Sequence, residues 1–157
     1  MRMAPDRAVR LAHSRRLVLS FVASPDDVRA ALARTRAFLA ASGTCSNACG
    51  TAEIVLAEAL NNVAEHGYAM RGEGMVRLAL TLRGARLTAD ITDEGAPLPG
   101  LCPPPGRAPA LDGRSADLPE GGFGWFLIHS LADVLNYSRS EGRNHLHLEM
   151  DLGSAQD

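Results

Sequence analysis

Between residues 94 and 120 the chain loses hydrophobic periodicity and collects seven of its nine prolines: Pro97, Pro99, Pro103, Pro104, Pro105, Pro109 and Pro119. Proline removes a backbone donor and fixes φ, so neither a helix nor an interior strand runs through this stretch. Loops beyond ~12–15 residues are uncommon inside compact domains and usually serve as lids or are disordered. Only 37 residues follow it, too few for a second core without staples. The segment after the prolines must therefore return to the core built before them. The reading is one domain over residues 16–152 with a lid at 94–120, a flexible arm at 1–15 and a short tail at 153–157.

On either side of the lid the periodicity is clear. Residues 16–22 (RLVLSFV) alternate like a strand and run into Ser24, Pro25, Asp26 and Asp27. There a capping side chain, a first-turn proline and two carboxylates facing the positive helix end mark a helix start. That helix is expected to reach Ala41, followed by a small-residue connection over 43–50 and a second helix over 51–66 ended by Gly67. Two alternating segments, 75–82 and 86–93, stand at hairpin spacing around Arg83, Gly84 and Ala85. In the second, Leu87, Ala89, Ile91 and Asp93 share one face, so an aspartate ends a buried-looking row. After the lid come an apolar helix over 125–131 and short strands near 134–138 and 145–152. Phe123, Trp125 and Phe126 are expected to pack in the core.

All 16 basic residues are arginine and none is lysine. This excludes a P-loop, the strand lysine of eukaryotic-type protein kinases and Schiff-base chemistry, each of which needs a lysine amine. A net charge of −2 gives no field for a polyanion, which argues against direct nucleic-acid binding. No apolar run approaches the ~20 residues of a membrane span, and the N-terminus lacks the long apolar stretch of a secretory signal. A cytoplasmic location is expected. Cys45, Cys49 and Cys102 form no CxxC pair and read as free thiols.

Three groups of residues can carry chemistry. On the 51–66 helix, Leu56, Leu60 and Val63 gather on one side, with Glu58, Asn62 and Glu65 opposite. Glu65 reads as solvated surface. Glu58 and Asn62, at i and i+4, set a proton acceptor beside a neutral oxygen suited to a hard cation such as Mg²⁺. Asp93 at its strand end can accept from an exocyclic amine such as that of adenine, with Gly95 letting a flat ring approach the backbone. Gly122 and Gly124 open a helix whose bare N–H groups and dipole can hold phosphate without lysine. His145 and His147 alternate on one strand, but no third ligand at useful spacing completes a metal site.

Taken in order, EALNNVAEHGY (58–68), TDEGAP (92–97) and LPEGGFGWFLI (118–128) resemble the N-box and the two glycine boxes of the GHKL, or Bergerat-fold, ATPases. They look most like the bacterial anti-sigma factor serine/threonine kinases, whose N-box similarly reads EALNN…EH. The resemblance spans roughly residues 16–152. It implies an α/β two-layer sandwich, a mixed and mostly antiparallel sheet with helices on one face, holding ATP between helix and lid. It implies Glu58 as general base, Asn62 as ligand to Mg²⁺, Asp93 on the adenine amine, Gly95 beneath the ring, and Gly122 and Gly124 at the phosphates. His66 would be structural. Asn144 stands near a threonine that helps hold adenine in relatives, and Glu120 near an arginine beside the phosphates, so Arg107, Arg114 or a partner's arginine would supply that charge.

The implied activity is phosphorylation of a STAS-domain anti-anti-sigma antagonist, with a sigma factor or equivalent regulator as the other partner and a homodimer as the assembly. The alternatives are a non-catalytic ATP-binding switch module, a histidine-kinase-like catalytic domain acting in trans, and a small metal enzyme on His145 and His147.

Overall fold

The structure is a computed structural model that describes residues 13–69, 71, 73–108 and 122–153. Most of the expected arm, the lid from residue 109 to 120 with Arg114 and Glu120, and the last four residues of the tail lie outside the described residues. In chain order the elements are β1 (Ser14–Val22), α1 (Pro25–Ala41), α2 (Ser46–Asn62) with a π-helical turn (Val63–Gly67), β2 (Met75–Arg83), β3 (Arg86–Asp93), a 3₁₀ turn (Pro99–Leu101), α3 (Phe123–Leu131), β4 (Val134–Ser140) and β5 (Arg143–Asp151).

The strands form one sheet in the order β1-β2-β3-β5-β4. Every described pairing is antiparallel, so the expected mixed, mostly antiparallel sheet resolves to its antiparallel side. β4 enters at the edge and β5 returns beside β3, which is how the chain after the lid rejoins the core laid down before it. One face of the sheet carries Leu19, Leu78, Leu80, Leu87, Ile91 and Leu148, packed with Leu39, Leu56 and Leu60 of the helices and with Trp125 and Ile128 of α3. Burying that apolar area is the main favourable term for the fold. The opposite face carries no described helix and holds the alternate, more polar residues.

Local chemistry explains the boundaries. Ser24 caps α1, its hydroxyl accepting from the Asp27 backbone N–H at 3.1 Å, with Pro25 in the first turn. Gly84 takes φ +60° in the two-residue turn between β2 and β3, a backbone state that favours glycine. α2 begins at Ser46, five residues before its expected start, with no side-chain cap. Propensity argued against this, because an interior glycine such as Gly50 costs about 1 kcal/mol relative to alanine. Packing decides it: Cys49 and Ala52 are buried in the core, and helical geometry puts both there. Trp125 is buried as expected, whereas Phe123 keeps 50% of its surface exposed at the open end of α3.

Candidate nucleotide site

Asp93 ends β3 on the core face, 7% exposed. Its Oδ1 accepts from the Gly95 N–H at 2.9 Å and from Asn144 Nδ2 at 2.9 Å. No hydrogen bond from the described residues reaches its Oδ2. Burial raises the carboxyl above its ordinary value and outweighs the opposing pull of Asn144, the Gly95 amide and the Arg139 charge. The strand register pairs Asp93 directly with Asn144 of β5. Asn144 donates further to the carbonyls of Gly95 at 3.2 Å and Ala96 at 3.1 Å. Its Oδ1 accepts from Tyr137 Oη and from Arg139 Nη1, each at 2.6 Å. Arg139 also donates to the Gly95 carbonyl at 2.9 Å, and the Leu98 N–H donates to Tyr137 Oη at 3.1 Å. The first residues of the lid are thus tied to β4 and β5 as well as to β3.

Gly95 has a steric reason to be glycine. A Cβ there would fall 2.7 Å from the carbonyl carbon and oxygen of Gly67, backbone atoms that cannot rotate away. The Ala96 N–H donates to that same Gly67 carbonyl at 2.8 Å. This contact joins the end of α2 to the end of β3 and so closes one wall of a pocket lined by Asn62, Asp93, Ala96, Leu98, Trp125 and Asn144, among others. The pocket is apolar except for a few converging polar groups, the usual character of a small-molecule site. Tyr68 braces the same wall: it accepts from the Glu94 N–H at 2.7 Å and donates to the Met75 carbonyl at 2.9 Å.

Asn62 lies at the last turn of α2 with its Nδ2 buried and without a hydrogen-bond partner, the one such side-chain atom among the described residues. A buried amide left unpaired costs free energy, so the fold supplies a polar group here that the fold itself does not use. One turn earlier, Glu58 meets α3: a Cβ on Gly124 would land on the Glu58 carboxylate. Gly122 at the N-cap of α3 offers no side-chain cap to the first turn. Against it lies the described part of the lid, where the Arg107 N–H donates to the Gly122 carbonyl at 2.9 Å and the Arg107 side-chain carbons pass at 3.3 Å from where a Gly122 Cβ would sit.

The structure therefore gathers Asn62, Asp93 and Asn144 around one pocket, and Glu58, Gly122 and Gly124 where α2 meets α3. Gly95 is placed against Gly67. His66 borders the pocket and is exposed, as is Glu65. Sequence reasoning missed Tyr137 and Arg139, although Leu135, Tyr137 and Arg139 share one face of β4. An arginine ending an apolar row is the same signal that exposed Asp93.

A two-layer α/β fold with a pocket between the second helix and the segment after β3, and an N-box on that helix, defines the GHKL class of ATP-binding domains. The chain belongs to the family of the histidine kinase-like ATPase domain, whose profile matches residues 21–150. It is 34% identical over 94 residues to the serine/threonine-protein kinase BtrW of Bordetella bronchiseptica, covering 58% of this chain and 62% of that one. It is 32% identical over 92 residues to the serine-protein kinase RsbW of Staphylococcus epidermidis, covering 57% of this chain and 58% of that one. The matches thus span about three fifths of the length of these curated relatives. The fold matches part of a solved structure of the RsbU and RsbW domains of Rv1364c from Mycobacterium tuberculosis, at a TM-score of 0.61 and 20% identity over 87% of this chain and 32% of that one. Among the described residues no helix is long and apolar enough to cross a membrane.

Proposed function

We propose that the chain is an ATP- and Mg²⁺-dependent serine/threonine protein kinase and anti-sigma-type regulator, acting on a STAS-domain antagonist in a partner-switching pathway. One observation carries the reading: the Glu58 carboxylate lies against Gly124 at the start of α3, one helical turn from an unpartnered Asn62 amide that borders the pocket of Asp93. Relatives named as serine or serine/threonine kinases support the same chemistry.

In this reading the adenine amine donates to Asp93, and Asn144 holds the carboxylate in place. Gly122 and Gly124 leave the first-turn N–H groups of α3 bare for phosphate oxygens, whose charge the helix dipole favours. Asn62 would hold Mg²⁺ through its carboxamide oxygen, since a half-turn of the amide presents that oxygen in place of the orphaned nitrogen; the ion would supply charge neutralisation for the phosphates. Glu58 accepts the proton of a serine or threonine hydroxyl as its oxygen attacks the γ-phosphorus, the bond to ADP breaks, and phosphoprotein and ADP leave. Such transfer depends mainly on positioning and charge. A cytoplasmic location, a sigma factor or equivalent as second partner, and a homodimer belong to the same reading.

The test is a labelled-ATP assay with a candidate STAS-domain protein. Glu58→Ala is expected to reduce transfer by at least ~100-fold, the usual scale for a general base, while ADP affinity stays within about twofold. Undiminished transfer removes Glu58 as base. Nucleotide binding by the unsubstituted chain without any phosphoprotein makes it a switch module, and an acid-labile product makes it a histidine-kinase-like domain.

A further inference from the structure

On the helix-free face of the sheet, β3 and β5 bring Asp90 beside two histidines that lie 55 and 57 residues further along the chain. Asp90 pairs with His147 and Thr92 with His145 in the strand register, so both imidazoles project from the face that carries Asp90. His145 Nε2 lies 2.7 Å from Asp90 Oδ1, and His147 Nδ1 lies 2.8 Å from the same oxygen. One ligand atom from each residue falls within 4.8 Å of the others. Asp90 is the third ligand that spacing along the chain does not reveal.

We propose that Asp90, His145 and His147 form a binding site for a divalent transition-metal ion of the zinc class, separate from the nucleotide pocket and on the other face of the sheet. Two imidazoles and one carboxylate suit Zn²⁺ better than Mg²⁺ or Ca²⁺, which favour all-oxygen sets. Three protein ligands with a position open to water is a common zinc arrangement. Zinc–nitrogen and zinc–oxygen bonds near 2.0–2.1 Å in a tetrahedron separate ligand atoms by about 3.3 Å, so each ring nitrogen and Asp90 Oδ1 need part by only about half an ångström. The side chains have room for it, being 43% exposed at His145, 26% at His147 and 35% at Asp90.

A second feature points the same way. The other ring nitrogen of His147, Nε2, lies 3.3 Å from Glu149 Oε1, and Glu149 is in turn held by Arg86 at 3.0 Å. A ligating histidine is typically oriented in this manner, its far N–H given to a carboxylate while the near nitrogen faces the ion. His145 and Asn144 are adjacent on β5, and Asp93 lies three residues beyond Asp90 on β3. An ion bridging these strands would therefore pin the same strand pair that carries Asp93 and Asn144 on the opposite face.

The test is calorimetric titration of the tag-free, reduced full chain with Zn²⁺ in excess Mg²⁺, together with imidazole nitrogen NMR. One saturable equivalent is expected, with the ring signals of His145 and His147 shifted. Asp90→Asn and the double variant His145→Gln/His147→Gln should each weaken binding by at least ~100-fold, and Glu149→Gln by roughly 10-fold, as removal of an outer-shell partner does. All four substituted positions are partly exposed, so circular dichroism and retained ADP binding verify folding. Zinc affinity unchanged in the double variant would place the ion elsewhere and overturn the proposal; so would the absence of saturable binding to the unsubstituted chain.

Discussion

Asp93, the proposed acceptor of the adenine amine, is held as a buried carboxyl at a cost to the unliganded fold. Its carboxyl is buried, and burial raises its pKa above 3.8 despite the opposing hydrogen bonds and the nearby Arg139. The folded carboxyl therefore holds a proton more tightly than the unfolded one. Stability from this group is present in full below 3.8 and is lost as pH rises through the raised pKa. Asp93→Asn removes that loss. The variant without nucleotide is expected to melt higher than the parent at neutral pH, by roughly 2–4 °C for each kcal/mol relieved, and the gain should shrink as the pH is lowered toward about 4. The same change puts a donor where an adenine amine needs an acceptor, so ADP should no longer raise the melting temperature. Scanning calorimetry across pH, with and without ADP, checks both; parallel pH profiles for the two proteins would refute the assignment. Asp93 was legible because a strand repeats every two residues. The same two-residue repeat marks Tyr137 and Arg139 on one face of β4, but not what they bind, because their partners lie on β5 and in the segment after β3, brought near only by the strand order.

Two glycines do different jobs at the level of elements, although the sequence presents both simply as parts of glycine boxes. Gly95 sits where β3 meets the end of α2, and a methyl group there would strike the backbone of Gly67. Backbone cannot yield without moving the helix end, so Gly95→Ala is expected to cost about 1–3 kcal/mol in urea unfolding, the usual range for overpacking, and to loosen the pocket wall. Gly124 faces a side chain instead. The Glu58 carboxylate can swing aside, so Gly124→Ala should leave the urea midpoint nearly unchanged while reducing phosphoryl transfer by displacing the base. Equal stability losses in the two variants would contradict this division. The i and i+4 placement of Glu58 and Asn62 could be read from helical period alone. The meeting of Glu58 with Gly124 could not, since it depends on how α3 docks on α2 after the lid, a long-range packing choice that no local pattern encodes. The early start of α2 escaped for a related reason, the burial of Cys49 and Ala52 overriding the low helix propensity of residues 46–50.

For the whole molecule, the proline-rich stretch and the missing lysines bear on one question, how the lid meets the phosphates. The proline run could be read from sequence as a break in periodicity, but the resting place of its described part could not: Gly106, at φ +76°, packs on the backbone of Phe126, and the Arg107 N–H bonds to Gly122. The described part of the lid thus lies against the helix end where phosphate oxygens are proposed to dock. In the proposed reading nucleotide rearranges this contact, and Arg107 is the described residue of the proline-rich segment that would bring positive charge to the γ-phosphate without lysine. Because the chain contains no lysine, trypsin can cut it only after arginine, and between Arg86 and Arg139 the sequence offers Arg107 and Arg114 alone. Limited trypsin digestion consequently reads the lid with little interference. If ATP draws the lid closed over its phosphates, cleavage after Arg107 should slow by roughly tenfold or more with Mg-ATP, a population shift of about 1.4 kcal/mol or more toward the closed form. ADP, which lacks the γ-phosphate, should protect less, and Asp93→Asn, which is expected to lose nucleotide, should show no protection by either. Equal cleavage with and without Mg-ATP, at concentrations where calorimetry shows the nucleotide bound, would separate the lid from the phosphate site and leave the γ-phosphate to an arginine from a partner.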